Sequence, residues 1–200
     1  MLIEIFGLPG SGKSTYVREN IKDNEIDILA EKIYSNSRIK RSINKVLPIL
    51  KLFFIDNKFF RNICKELKKM EFKSLFIKLK MYQLTLSYVS IIKEIKKEKV
   101  YYIDEGIVTL IWAIFYNSNK NDFKQIGDFV KIFNLFIGDR LIYVKTDLET
   151  IYERLIMRNT SGGSELQKDI RTDKEQLKYA NEIMEKILDE ITKIKKIEIV

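Results

Sequence analysis

The run Gly7-Leu8-Pro9-Gly10-Ser11-Gly12-Lys13-Ser14 fits G-x-x-x-x-G-K-[ST] and directly follows the apolar stretch Leu2-Ile3-Glu4-Ile5-Phe6. This spacing has one well-defined chemical use. Glycines let a backbone curl until its N–H groups converge on one point, and a helix starting at once behind the curl adds the positive end of its dipole. Such a loop cradles the phosphates of a nucleoside triphosphate. Leu8, Pro9, Gly10, Ser11, Gly12, Lys13, Ser14 and Thr15 are the expected contacts, Lys13 supplying an ammonium and Ser14 a hydroxyl for Mg²⁺.

A second half of the site is expected about ninety residues on. Val100-Tyr101-Tyr102-Ile103 reads as a strand that ends in Asp104-Glu105-Gly106. A strand-terminal Asp104 suits the carboxylate that holds Mg²⁺ from the side opposite Ser14. Glu105 can polarise an attacking hydroxyl or water. A third element is the stretch 147–158, where Leu148, Ile151, Tyr152, Leu155 and Ile156 form one apolar face. Arg154 and Arg158 border that face, four residues apart, and the polar run Asn159-Thr160-Ser161-Gly162-Gly163-Ser164 follows. Delocalised cations beside a polar loop suit a lid over about 154–165 that spreads charge from a transferred phosphoryl group.

Composition limits the alternatives. The chain has no histidine and one cysteine, Cys64, so histidine-based triads, zinc sites and internal disulfides are excluded. Proton transfer falls to carboxylates or to the substrate, and the cysteine usage fits a reducing, cytoplasmic setting. The first apolar run contains Glu4 and has no basic lead-in, unlike an export signal, and the longest apolar stretch, 107–116, is too short to span a bilayer. At 200 residues with 46% hydrophobic content, the expectation is a single domain, 1–200, with a full core.

To bring these groups together the chain must alternate strands and helices. Strands are expected at 1–6, 26–30, 100–104, 140–145 and 195–200, with helices over 13–22, several within 39–99, and 106–116, 122–137, 147–158 and 165–192. Thr146 with Glu149 and Ser164 with Gln167 read as capping boxes. The alternation implies a parallel sheet covered on both faces, with the site at the strands' carboxyl ends.

With these residues in place, the chain resembles the P-loop kinases of the nucleoside and nucleotide kinase group, nearest the thymidylate-kinase and deoxynucleoside-kinase branch. The resemblance implies an α/β P-loop NTPase fold: three α/β/α layers, a five-stranded parallel sheet ordered 2-3-1-4-5, and an enlarged helical acceptor region at about 39–99. It implies phosphate binding by residues 10–15, lid arginines at Arg154 and Arg158, and transfer of the ATP γ-phosphoryl group, with Mg²⁺, to a nucleoside or nucleoside monophosphate. The chain departs from that branch in carrying Asp104-Glu105-Gly106 where Asp-Arg is usual. Glu31 stands where deoxynucleoside kinases place a catalytic glutamate after strand two, without the surrounding motif, and Gln83 stands near the glutamine that reads a base edge in those enzymes.

Charge adds a candidate acceptor surface. Between Arg38 and Lys99 stand 17 Lys and Arg against 5 Asp and Glu, so a chain of formal charge +8 concentrates +12 there and leaves −4 elsewhere. The same block carries Phe53, Phe54, Phe59, Phe60, Phe72 and Phe76. Solvated lysine faces over aromatic cores account for this pattern, while Arg38, Arg41 and their neighbours could attract a small anionic acceptor. Nucleic acid, a membrane surface or a homodimer partner are further readings.

Other functions compete. Asn119-Lys120-Asn121-Asp122 spells the guanine-reading N-K-x-D of GTPases, but the accompanying D-x-x-G is one residue short at Asp104-Glu105-Gly106. Ser161-Gly162-Gly163-Ser164 resembles a transporter-ATPase signature on the wrong side of the strand-terminal Asp. Glu105 also suits a hydrolytic ATPase, and a non-catalytic nucleotide-binding module remains an alternative.

Overall fold

The computed structural model describes residues 1–20, 26–27, 49–54, 56–95, 98–119, 123–158 and 169–200. Strand β1 (Leu2–Phe6) is buried on both faces, the pattern of a central strand in a parallel sheet. It leads through residues 7–12 into helix α1 (Lys13–Asn20). Strand β2 (Ile26–Asp27) is followed, beyond a helical stretch at 49–54, by helices α2 (Asn57–Lys69) and α3 (Leu75–Lys93). Asp56 and Ser74 cap these two helices by accepting the N–H groups of Phe59 and Ile77. Strand β3 (Tyr101–Ile103), helices α4 (Ile107–Tyr116) and α5 (Lys124–Phe133), and strand β4 (Arg140–Tyr143) come next. Helix α6 (Leu148–Arg158), a 3₁₀ turn (Asp169–Arg171), helix α7 (Lys174–Thr192) and strand β5 (Ile197–Ile199) complete the order.

The five strands form one all-parallel sheet in the order β2-β3-β1-β4-β5, as the resemblance implies. Register places Glu4 beside Ile103 on one side and Leu141 on the other. Side chains alternate along β1. Phe6, with Leu141 and Tyr143 of β4, joins the main core with α4, α5 and α7, while Ile3 and Ile5 meet Ile142, Val144 and the α1 residues Tyr16 and Val17. Helix α4 is apolar almost all round and lies within the main core, where Trp112 stacks on Tyr116 and donates its indole N–H to Ala180 O of α7 at 2.9 Å.

Several expected boundaries shift. The helix expected at 165–192 begins as α7 only at Lys174, because the Asp173 side chain accepts the Glu175 N–H at 2.8 Å and starts a new helix after the 3₁₀ turn. The pair Ser164 and Gln167 lies outside the described residues. Within the basic block, Phe59, Phe60 and Phe72 pack against the core, whereas Phe53, Phe54 and Phe76 are exposed, Phe54 by 79% and Phe76 by 63%. Among the described residues, no helix is long and apolar enough to cross a membrane.

Candidate functional site

Central strand β1 delivers residues 7–12 to the carboxyl edge of the sheet, beside the ends of β3 and β4, where the strand order switches direction. Crevices at such a switch point bind ligands in open α/β sheets. The curl closes tightly: Ser11 N–H reaches Leu8 O at 3.1 Å, and Thr15 and Tyr16 N–H both reach Gly12 O at 2.9 Å. Gly10 (φ +86°) and Gly12 (φ +99°) occupy the left-handed region that an L side chain resists. Space at Gly10 is tight as well, since a Cβ there would stand 3.2 Å from Leu155 Cγ and 3.3 Å from Ile151 O. Helix α6 therefore braces the loop from behind.

Two polar ties complete that brace. Arg154 Nη1 donates to Gly10 O at 3.2 Å, and Thr146 Oγ1 donates to Ser11 O at 2.7 Å. The second tie corrects the expected capping box of Thr146 with Glu149. Asp147 begins α6 instead, its Oδ1 accepting the Thr150 N–H at 2.8 Å, while Glu149 pairs with Lys174 at 2.7 Å. Both residues suit an N-cap, and the helix takes the later one because the threonine is engaged by the loop. On the expected apolar face of α6, Ile151 and Leu155 are buried and Leu148 and Tyr152 pack beside them, but Ile156 is 49% exposed.

Lys13 opens α1, and its ammonium donates to Gly7 O at 2.9 Å and Leu8 O at 3.0 Å. It thus lies across the mouth of its own loop. Ser14 and Thr15 follow it, exposed on the first turn of α1. Asp104 and Glu105 leave β3 on the neighbouring strand end, and the Lys13 ammonium acts on both carboxyls. Burial, then the Asp27 carboxylate, pushes Asp104 above the usual carboxylate range, with Lys13 opposing. Burial also lifts Glu105, opposed by Lys13 and assisted by Asp104. Carboxylates held this way gain from a further cation. Among the described residues no group of three or more His, Cys, Asp or Glu is placed to hold a metal ion. A hydroxyl at Ser14 and a carboxylate at Asp104 fit Mg²⁺, which takes few protein ligands and fills its shell with water and substrate phosphates.

Asp27 was not singled out by sequence reasoning. An aspartate inside an Ile-rich strand candidate was the available signal, and pairing of Asp27 with Tyr102 places it one strand over from Asp104. Arg158 closes α6, with its side chain outside the description, as are residues 159–165 of the expected lid, Glu31, Arg38 and Arg41. Gln83 lies half-buried on α3. Asn119, the first residue of the GTPase-like string, follows α4 at the end remote from Gly106, and its N–H is held by Glu71 O at 2.7 Å. The length of α4 puts it on the order of 15 Å from the phosphate loop's side of the sheet.

No family model matches the chain, and no curated protein matches it in sequence. Solved structures do match. A deoxyadenosine kinase from M. mycoides with bound dCTP superposes with a TM-score of 0.55 at 18% identity, covering 100% of this chain and 89% of the other. The same enzyme with the products dCMP and a flexible dCDP gives 0.55 at 21% identity, and with dATP 0.52 at 18%, each covering 100% of this chain and 90% of that one. The chain has the P-loop nucleoside-kinase-like fold.

Proposed function

We propose that this chain is a phosphotransferase that uses ATP and Mg²⁺ to phosphorylate a nucleoside or nucleoside monophosphate. One observation carries the reading: a phosphate-type loop with Lys13 at its mouth faces two raised carboxyls at the end of the adjacent strand. The fold adds support, since the solved structures that share it are kinases with deoxynucleotides bound.

Each residue then has a task. When a triphosphate enters, the Lys13 ammonium exchanges the carbonyls of Gly7 and Leu8 for β- and γ-phosphate oxygens, and loop N–H groups other than those of Ser11 and Thr15, which bond Leu8 O and Gly12 O, would donate to the same oxygens. Ser14 and Asp104 would hold Mg²⁺, which when bound neutralises charge on the β- and γ-phosphates. Arg154, already against Gly10 O, lies within reach of the transferred group, and Arg158 would join it from the next turn of α6. Glu105 would orient the acceptor hydroxyl and accept its proton, a task that a carboxyl raised above its ordinary value suits. Glu105 equally suits activation of water, the one feature that favours a hydrolytic ATPase.

The test incubates the protein with γ-labelled ATP, Mg²⁺ and a pool of nucleosides and nucleoside monophosphates. Label should move to an acceptor in the wild type, and Lys13→Ala should lower transfer by roughly 10³-fold or more while the melting temperature holds. Release of label only as free phosphate would turn the reading to the ATPase. Undiminished transfer by Lys13→Ala would remove the loop from the mechanism.

A further inference from the structure

The apolar strand that delivers the phosphate loop contains one charged residue, Glu4, and it is fully buried. Its carboxylate is held on both oxygens: Oε1 accepts the Val108 N–H at 2.6 Å, and Oε2 accepts the Gly138 N–H at 3.0 Å. The first contact is a helix cap supplied from another strand. Gly106 stands at the N-cap of α4 with no side chain to offer, and Val108 N–H is one of the donors that a helix start leaves open. Two glycines make room for the group. A Cβ on Gly106 would lie 2.5 Å from Glu4 Cδ, and one on Gly138 would lie 2.7 Å from Glu4 Cβ. The turn at 137–138 is itself fixed, because Lys195 Nζ donates to Ile137 O at 2.7 Å and Gly138 O at 3.0 Å.

A continuous polar chain thus runs from Lys195, through the 137–138 turn and Glu4, to the first turn of α4. That turn directly follows Asp104 and Glu105. Burying the ion costs several kcal/mol, which the N–H groups of Val108 and Gly138 offset in part, and an apolar side chain in its place would leave both donors unpaired. What the carboxylate provides is a fixed address for Gly106–Val108 relative to β1, and therefore relative to the loop at the end of β1. Groups that share a metal and a phosphate must hold to within about 0.5 Å.

We propose that Glu4 is a positioning residue: by clamping the start of α4 to the strand that carries the phosphate loop, it sets Asp104 and Glu105 at the distance from Ser14 and Lys13 that Mg²⁺-assisted nucleotide binding requires. The inference rests on the proposed phosphotransferase reading for the identity of the ligands.

Calorimetry of ATP binding with and without Mg²⁺, at about pH 8, tests it in the full chain. Glu4→Gln keeps the volume but sets an amide NH₂ against one of the two N–H donors. The Mg²⁺-dependent gain in ATP affinity should shrink by about tenfold in Glu4→Gln, as for other residues that orient metal ligands, while Mg²⁺-free affinity stays within about twofold. Ile183→Val, which trims a methylene from the buried face of α7, serves as a control of reduced stability and should keep the whole gain. Lys195→Met, at a half-buried position on the opposite edge of the sheet, should move the gain in the same direction by a smaller factor, and it decides the matter if Glu4→Gln does not fold. A full Mg²⁺-dependent gain in the variant that folds overturns the proposal, as does a parallel fall of Mg²⁺-free affinity. If the wild type itself shows no Mg²⁺-assisted ATP binding, the phosphotransferase reading fails first and takes this one with it, a pattern distinct from a wild-type gain that survives the substitutions.

Discussion

At the scale of single residues, the site combines groups with different tolerances. Lys13 has local partners and acts through charge, so the loop presents it almost regardless of the remaining structure. Arg154 depends on α6 and is aimed by one contact, Nη1 to Gly10 O at 3.2 Å. A guanidinium parked on the loop's own backbone can swing to a phosphoryl oxygen without crossing solvent. Arg154→Ala should therefore cost kcat more than nucleotide affinity: transfer falling by roughly 10³-fold, the nucleotide Kd by less than about threefold, read from single-turnover transfer against calorimetry. Equal losses in both would make Arg154 a brace of the loop and nothing more. Arg154→Lys should recover little, because an ammonium cannot spread over a planar trigonal group as a guanidinium does.

At the scale of elements, the loop and α6 form one unit joined by Thr146. Its hydroxyl donates to Ser11 O at 2.7 Å from a half-buried position, while the neighbouring Asp147 caps the helix. These adjacent residues should separate in experiment. Thr146→Val keeps the shape and removes the donor, costing about 1 kcal/mol and lowering the melting temperature by roughly 2–4 °C, with weaker ATP binding as the loop loosens. Asp147→Ala should lower the melting temperature through the lost cap and leave ATP affinity alone. Differential scanning fluorimetry with and without ATP distinguishes the two, and an identical ATP response would show that Thr146 matters only to the helix.

The same pair shows what could be read in advance. The loop was legible because G-x-x-x-x-G-K-S is a local pattern whose glycines answer a local backbone need. The parallel sheet followed from alternation of strand and helix, and the order of its strands from the family resemblance alone. Thr146 reads as a cap because sequence shows only its neighbours along the chain, while its partner Ser11 lies 135 residues away. Asp27 and Glu4 were hidden for the same reason: each is polar inside an apolar strand, and only the register, Asp27 beside Tyr102 and Glu4 between Ile103 and Leu141, reveals what they face. The aromatic residues of the basic block split, with Phe59 packed on Phe136 and Phe54 and Phe76 exposed, because helical spacing gives a face without saying which neighbour covers it.

For the whole molecule, the sheet stacks its charged chemistry on one edge while the interior is apolar, with Glu4 as the buried carboxylate at its centre. Burial raises this carboxyl from the ordinary 4.5 to about 7, against the N–H groups of Gly138 and Val108 and the charge of Lys195, which favour the anion. Asp139 acts in turn on Lys195, whose own pKa burial lowers. The sign follows from proton counting. Between about pH 4.5 and about pH 7 the folded chain keeps a proton at Glu4 that the unfolded chain has released, so unfolding free energy falls as pH rises through that window and levels above it. A shift of this size corresponds to about 3 kcal/mol. Asp104 and Glu105 are raised as well and bend the curve in the same direction, so the contribution of Glu4 is the difference between wild type and Glu4→Gln. Urea unfolding at about pH 5 and about pH 8 should show the wild type losing roughly 2–3 kcal/mol more than the variant across that interval, most of the full shift. Parallel pH dependence in the two proteins would mean that the carboxylate is already ionised in the folded state at low pH, and that its two N–H donors outweigh the cost of burial.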